Sequence, residues 1–260
     1  MSKVTYFYGI HTVNIILNSF PESVVNIYIQ NNLVKENNRI AQLANLANKY
    51  GLIINTWSKQ KLDGLANNSA HQGIVVESKT SMVLKNYGED ELKNFYKQKL
   101  AKNDQHKFFI LILDEIQDPQ NFGACIRSSE ALGVDFIIST QKNSAPITNA
   151  VCKASAGAAL LTPIFQVTNL ARTIRWLKEE GTWVYGTGMG ENSESIEKLD
   201  FKNSVAIVMG AEGTGIRRLT AELCDGIFTI PMQGKTQSLN VSVATGICLY
   251  EVVRQRQNET

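Results

Sequence analysis

Hydrophobic and polar positions fall into two regimes along the chain, and they meet near residue 100. Beyond that point apolar runs recur at short intervals, each followed by a stretch with helical spacing. Residues 108–113 read as a buried strand, and residues 121–132 as a helix that Gly133 can end in the left-handed conformation. Residues 135–139 and 163–167 read as strands, with a small-residue helix over 148–159 between them. Asn169 can cap a helix that runs to Glu180 and stops at Gly181. Residues 182–187, 204–209 and 226–230 read as further strands, with helices near 214–224 and 239–256. Continuous apolar strands separated by helices predict an α/β domain, a parallel sheet covered by helices on both faces.

The first part is rich in asparagine and poor in arginine. Residues 24–29 read as a strand, and residues 38–50 as a helix with Ile40, Leu43, Ala44 and Ala47 on one face. Residues 52–54 and 73–76 read as strands, so a small α/β unit is expected. The stretch 79–107 is polar with a few periodic apolar positions. The expected division is therefore a first domain over 1–78, a linker over 79–106 carrying a helix near 89–100, and a second domain over 107–260.

Composition changes this picture little. With 43% apolar and 19% charged residues the chain has the make-up of a soluble globular protein. Its net charge of +2 argues only weakly for a nucleic-acid partner. The arginines say more: Arg39 alone lies in the first hundred residues, and the other seven lie beyond. Guanidinium forks suit phosphate recognition, although ion pairs and solvated helix faces are the competing use. The four cysteines are widely spaced and lie far from the three histidines, so no zinc signature arises and no metal is expected. Buried free thiols are expected, as suits a reducing cytoplasm. The N-terminus lacks a basic-then-apolar signal pattern, and the densest apolar run is too short to cross a bilayer.

Gly234-Lys235-Thr236 has the form of the end of a nucleotide-binding P-loop. The first glycine of that motif would fall at Thr229, inside a strand, and Pro231 removes a backbone donor from the phosphate nest. The motif fails on both counts. Gly186-Thr187-Gly188-Met189-Gly190 follows a strand, as dinucleotide-binding loops do, but a polar stretch comes next where a crossover helix belongs. A flexible turn and a close ligand approach both remain open there.

Three strand-to-helix junctions carry the chemistry. LILDEIQDPQNFGACIRSSEALGV holds Asn121 and Arg127, VAIVMGAEGTGIRRLTAEL holds Gly210 and Glu212, and IFTIPMQGKTQSLNVSVATGICLYEVV holds Ser238 and Asn240. Each places polar residues beyond a strand's carboxyl end, where open parallel sheets bind ligands. A lone helical arginine or a glutamate at a helix start is commonly structural; here three such junctions occur together.

These segments resemble the SpoU–TrmH family of SPOUT methyltransferases. Asn121, Gly123 and Arg127 match one motif, Met209, Gly210, Glu212 and Gly215 a second, and Ile230-Pro231-Met232 with residues 238–244 a third. Residues 167–173 and 238–249 resemble the subgroup that 2′-O-methylates a guanosine in the peptidyl-transferase P loop of 23S rRNA. Tyr8-Gly9-Ile10-His11 and His71-Gln72-Gly73-Ile74 resemble that subgroup's small RNA-binding domain, which is similar to ribosomal protein L30e. The resemblance implies S-adenosylmethionine as methyl donor, a trefoil knot at the carboxyl end of the domain, and a homodimer through the knot. It implies that Gly210, Ile230, Met232 and Leu239 hold the cofactor, with Thr187 and Gly188 near it. Arg127 would be the catalytic residue, with Glu212, Ser238 and Asn240 orienting it or the ribose and Asn121 in support. No membrane partner is expected. A tRNA substrate and a non-catalytic RNA-binding protein are the alternatives.

Overall fold

A computed structural model describes residues 4–84, 87–190, 193–236 and 238–257. The chain divides into two compact units. The first begins with β1 (Val4–Tyr8), α1 (Ile10–Ser19) and β2 (Val24–Gln30). It continues with α2 (Leu33–Glu36), α3 (Asn38–Lys49), β3 (Ile54–Trp57), α4 (Lys59–Leu65), β4 (Ile74–Lys79) and α5 (Thr80–Val83). Its sheet has the order β1-β4-β2-β3, with β2 and β3 parallel and the other pairs antiparallel. The face of α3 expected to be apolar is buried, at Ile40, Leu43, Ala44 and Ala47. The Asn37 side chain caps this helix by accepting from the Arg39 and Ile40 N–H groups. His71 is buried, with Nδ1 accepting from the Gly73 N–H at 2.9 Å and Nε2 facing Asp63 at 3.0 Å. The HQG segment thus builds the turn that leads into β4.

The second unit starts with α6 (Glu89–Lys102), followed by β5 (Phe109–Asp114), α7 (Pro119–Ala131) and β6 (Phe136–Thr140). Residues 147–161, with α8 (Asn149–Ala154), belong to the first unit. The chain then returns through β7 (Ile164–Val167), α9 (Leu170–Glu179), β8 (Trp183–Thr187) and the short β9 (Glu194–Ser195). It ends with β10 (Val205–Gly210), α10 (Arg218–Leu223), β11 (Gly226–Thr229) and α11 (Val241–Gln257). Seven strands form one sheet in the order β7-β6-β5-β10-β8-β11-β9, and every pairing is parallel. β5 and β10 are buried along their whole length, which explains their unbroken apolar sequences. On one face Ile110, Ile112, Phe136 and Val208 pack with Leu92 and Tyr96 of α6 and Leu170, Ile174 and Leu177 of α9. Alternate residues such as Leu111 and Ile207 turn to the other face, where α7 and α11 lie against each other and Cys125 meets Thr245 at 3.3 Å.

Four expectations about organisation differ from the structure. Residues 79–106 are not a free linker, because α6 buries Leu92 and Tyr96 in the core of the second unit. Tyr96 also stacks on Phe108 at a centroid separation of 3.9 Å. The boundary placed at residue 78 falls inside β4, and the units divide after Lys85. The strand expected over 52–54 is instead β3, whose edge position leaves Ile53 exposed. Within the stretch read as one helix over 148–159, α8 ends at Ala154 and a short 3-10 turn covers Ala158–Leu160. The break lies at Ala156 and Gly157, which both have positive φ.

Arg256 ties the end of α11 to the sheet. Its guanidinium donates to the carbonyls of Phe201, Lys107, Phe108 and Asn203 and lies 5.3 Å from the Phe109 ring centre. Arg256→Ala should cost about 2 kcal/mol, a fall in Tm of roughly 4–8 °C for a unit of this size. Arg254 pairs with Glu251 at the surface, so Arg254→Ala should move Tm by less than about 2 °C. Thermal melts of the two variants followed by circular dichroism check the contrast; equal shifts would rule out the clamp.

All four cysteines are free, three are buried and Cys224 is half-buried. Burial pushes the thiols of Cys152, Cys224 and Cys248 up to about 12 and that of Cys125 to about 11. At pH 8 these groups are protonated and poor nucleophiles. The native protein should therefore resist iodoacetamide at pH 8 until denaturant is added, as read by mass spectrometry. Rapid alkylation of any of the four without denaturant would contradict this.

Candidate functional site

The carboxyl ends of β8, β10 and β11 meet at one open cleft with about 800 Å³ of accessible space. That is within the range of small-molecule sites, roughly 300–1,000 Å³. Its walls come from the loop after β8, the turn after β10 and the segment between β11 and α11. Thr187, Gly188, Gly210, Ile230, Met232 and Leu239 all line it. The six positions expected to hold a cofactor thus come together from three distant stretches of chain. Ile216 and Phe228, which no motif includes, also supply apolar wall. Their apolar character resembles any core position, so no local signal marks them.

Close packing makes the cleft. Gly210 ends β10, where the following turn folds back so that Gly215 N donates to the Ala211 carbonyl at 2.8 Å. A Cβ on Gly210 would lie 2.0 Å from the Gly215 carbonyl carbon and 2.1 Å from the Ile216 nitrogen. Only glycine lets the strand end and the turn touch. The loop after β8 is fixed by Gly188 N donating to the Phe228 carbonyl at 2.9 Å and by the Thr187 hydroxyl donating to the Val208 carbonyl at 3.1 Å. β9 follows that loop, so the chain does not make a dinucleotide-type crossover helix there.

At the rim, three of the expected catalytic residues form one hydrogen-bonded group. Asn121 Nδ2 donates to Glu212 Oε2 at 3.3 Å. Asn240 Nδ2 donates to Asn121 Oδ1 at 3.0 Å and lies 3.5 Å from the same Glu212 oxygen. Asn121 is itself placed by Asp118, which caps α7 by accepting from the Asn121 N–H at 2.7 Å. Asn240 Oδ1 accepts from the Ser242 N–H and hydroxyl, which fixes its amide orientation. The cluster laces the starts of α7 and α11 to the turn after β10. Glu212 and Ser238 also line the cleft. Ser238 is exposed and makes no hydrogen bond among the described residues, whereas Asn240 accepts from Ser242 at the start of α11.

Arg127 stands apart from this group. It is exposed on α7 and has no hydrogen bond or ion pair among the described residues. Glu212 makes no ion pair with Arg127 among the described residues, and its Oε2 instead meets the amides of Asn121 and Asn240. A guanidinium without a protein partner keeps all its donors for a ligand.

Gly234, Lys235 and Thr236 lie in an exposed loop, and α11 begins only at Val241. A triphosphate cradle needs its Lys-Thr pair at a helix start, so the P-loop reading fails on geometry as it does on sequence. Gln237, beside it, lies outside the described residues. Among the described residues, no group of three or more His, Cys, Asp or Glu could hold a metal ion. No described helix is long and apolar enough to cross a membrane.

Comparison with known proteins agrees with this geometry. The SpoU rRNA Methylase family pattern matches residues 108–250, and that of RNA 2′-O ribose methyltransferase substrate binding matches residues 6–82. The chain is 44% identical over 258 residues to a 23S rRNA (guanosine-2′-O-)-methyltransferase of Shewanella oneidensis, covering 99% of this chain and 100% of the relative. It is 42% identical over 257 residues to the enzyme of the same name from Coxiella burnetii, covering 99% and 98%. Among solved structures, the SpoU methyltransferase AviRb from Streptomyces viridochromogenes, in complex with the cofactor AdoMet, aligns with a TM-score of 0.74. That alignment covers 98% of this chain and 91% of AviRb at 20% identity, a likeness of fold. With a family pattern over more than half its length and near-complete alignment to relatives above 40% identity, the chain belongs to the SpoU rRNA methylase family.

Proposed function

We propose that this protein transfers a methyl group from S-adenosylmethionine to the ribose 2′-hydroxyl of a guanosine in 23S rRNA. The observation that carries the reading is the convergence of three motifs on one cleft, with Gly210, Ile230, Met232 and Leu239 inside it and Asn121, Glu212 and Asn240 joined at its rim. The full-length likeness to relatives named for that reaction supports the substrate.

The residues present suit the cofactor. The close Gly210–Gly215 packing sets the turn that walls the cleft, and apolar walls at Leu239 and Ile230 can take an adenine ring. S-adenosylmethionine, when bound, supplies an electrophilic sulfonium methyl. Backbone at Gly210, Ile230, Met232 and Leu239 would hold it, with Thr187 and Gly188 beside it. The protein's task is then orientation, which can lower a barrier by roughly 7–11 kcal/mol in favourable cases. Asn121, Glu212 and Asn240 act as one rigid unit that, with Ser238, places the ribose. Arg127 acts through its guanidinium, which offers donors and no acceptor. It holds the target phosphate and stabilises the developing alkoxide.

In this reading the first unit is an L30e-like domain that selects the RNA by phosphate contacts and an unstacked base. The carboxyl end of the second unit threads a trefoil knot, and the protein works in the cytoplasm as a homodimer. Val243, Ile247 and Tyr250 support the dimer, since they are 52%, 39% and 59% exposed on one side of α11.

Titration calorimetry tests the cleft. S-adenosylmethionine should bind once per chain and compete with S-adenosylhomocysteine, and ATP should give no heat; ATP binding without S-adenosylmethionine binding would refute the assignment. Residues 87–260, which keep α6 with the core of the second unit, should keep cofactor affinity but methylate 23S rRNA poorly. Equal rates for truncated and full-length protein would overturn the selector role.

A further inference from the structure

One buried carboxylate beside the cleft has no part in the chemistry above. Asp114 ends β5, its side chain is 0% exposed, and it stands next to Gly210 in the parallel register. It is gripped by a single residue. Arg217 approaches it with its backbone N–H at 3.2 Å, Nε at 2.9 Å and Nη2 at 2.7 Å. The remaining arm of the fork, Nη1, lies 3.1 Å from Glu115. That carboxylate oxygen also accepts from Asn143 Nδ2 at 3.1 Å, and both Glu115 and Asn143 hold left-handed backbone.

Arg217 immediately follows the turn over 211–216, whose residues form one wall of the cleft and carry Glu212 to the rim. The turn is mostly exposed, and Gly213 and Gly215 have positive φ, so its own sequence does little to fix its position. At its start it touches Gly210. At its end it is bolted to the strand next door by the Arg217 fork. The neighbouring Arg218 is 92% exposed and, among the described residues, pairs with Glu222 on its own helix. The two adjacent arginines thus have opposite roles.

We propose that the Asp114–Arg217 pair is a positioning device that holds the cofactor-binding turn, and with it Glu212, against β5 and β10; this rests on reading the cleft as the S-adenosylmethionine site. A buried carboxylate stripped of its partner cannot remain unpaired without cost. The turn moves instead, and the cleft wall moves with it. A lysine at 217 keeps the charge but loses the two-armed grip that sets the turn's orientation.

The test uses the full chain with Arg217→Gln, Asp114→Asn, the double variant and Arg218→Gln, each titrated with S-adenosylmethionine and melted thermally. Arg217→Gln should weaken cofactor binding about tenfold, equivalent to about 1.4 kcal/mol, and raise the KM for S-adenosylmethionine more than the KM for rRNA. The double variant should bind no worse than the weaker single, as partners in one interaction do. Arg218→Gln should match wild type. Folded Arg217→Gln with wild-type cofactor affinity would overturn the proposal, and so would additive losses in the double variant. If Arg217→Gln does not fold, Arg217→Lys decides: weakened cofactor binding supports the pair, and wild-type binding refutes it. Wild-type protein that binds no S-adenosylmethionine would instead remove the reading of the cleft itself, a result distinct from any difference between variants.

Discussion

Arg127→Ala should lower methyl transfer by about 10²–10³-fold, the usual loss when one preorganised donor to a developing oxyanion is removed. Cofactor affinity should stay within about twofold of wild type, the pattern of an interaction made with the substrate's transition state and not with the cofactor. The reason lies in where the side chain sits. Arg127 is exposed on α7 with no protein partner among the described residues, so its removal breaks nothing in the resting fold. Stability should be almost unchanged, since surface substitutions away from packed features usually move it by less than about 0.5 kcal/mol. Arg127→Lys should not restore the rate, because an ammonium lacks the planar fork that grips a phosphate. Single-turnover kinetics, titration calorimetry and thermal melts on the same preparations check all four statements. Near wild-type turnover of the lysine variant would make a bidentate role untenable.

Gly210→Ala should have the largest effect on the cofactor site. The added Cβ would sit 2.0–2.3 Å from three backbone atoms of Gly215 and Ile216. Backbone cannot swing aside as a side-chain tip can, so the turn must separate from the strand. Overpacking of this kind costs about 3 kcal/mol or more, and S-adenosylmethionine binding should fall by over about a hundredfold. Gly190 also lines the cleft, but nothing lies within 4 Å of its Cβ position and its backbone is not strained. Gly190→Ala should therefore bind cofactor nearly as well as wild type. Gly213 has open space but a φ of 85°, so Gly213→Ala should fall between the two, with a strain cost of about 1 kcal/mol. Calorimetry on the three variants reads the order directly. Equal affinities for Gly190→Ala and Gly210→Ala would mean that the turn does not form the cofactor wall.

Much of the second unit was legible in the sequence because its strands are buried on both faces. The run over 108–113 contains no polar residue, and it became β5. The helix after Asn169 announced itself by its cap, which the Asn169 side chain makes to the Arg172 N–H. Residues whose meaning depends on remote partners were not legible. α6 looked like part of a linker because only Leu92 and Tyr96 of its fourteen residues are buried, and a partly polar helix gives weak periodicity. Residues 147–161 read as one more element of the α/β alternation, yet they pack with a unit formed by the first part of the chain. β1 and α1 escaped notice, since β1 shows no clean alternation in the sequence and Gly9 looks like an ordinary turn.

The site divides in the same way. The positions that the resemblance implies for the cofactor lie near strand ends, where a parallel sheet binds its ligands, and the fold brings them to one cleft. Asn121, Glu212 and Asn240 were each named, but their bonding to one another links positions 91 and 119 residues apart and needs the fold. The Asp114–Arg217 pair spans 103 residues, and no local pattern joins its two members.

The measurement that bears most directly on the whole account is methyl transfer from labelled S-adenosylmethionine to 23S rRNA lacking its own modification, with tRNA in parallel, using wild type and Arg127→Ala. The account predicts label at the ribose of a single guanosine in the rRNA, none in tRNA, and loss of the label in the variant. Label confined to tRNA would contradict the substrate, and no label in either RNA would contradict the enzyme.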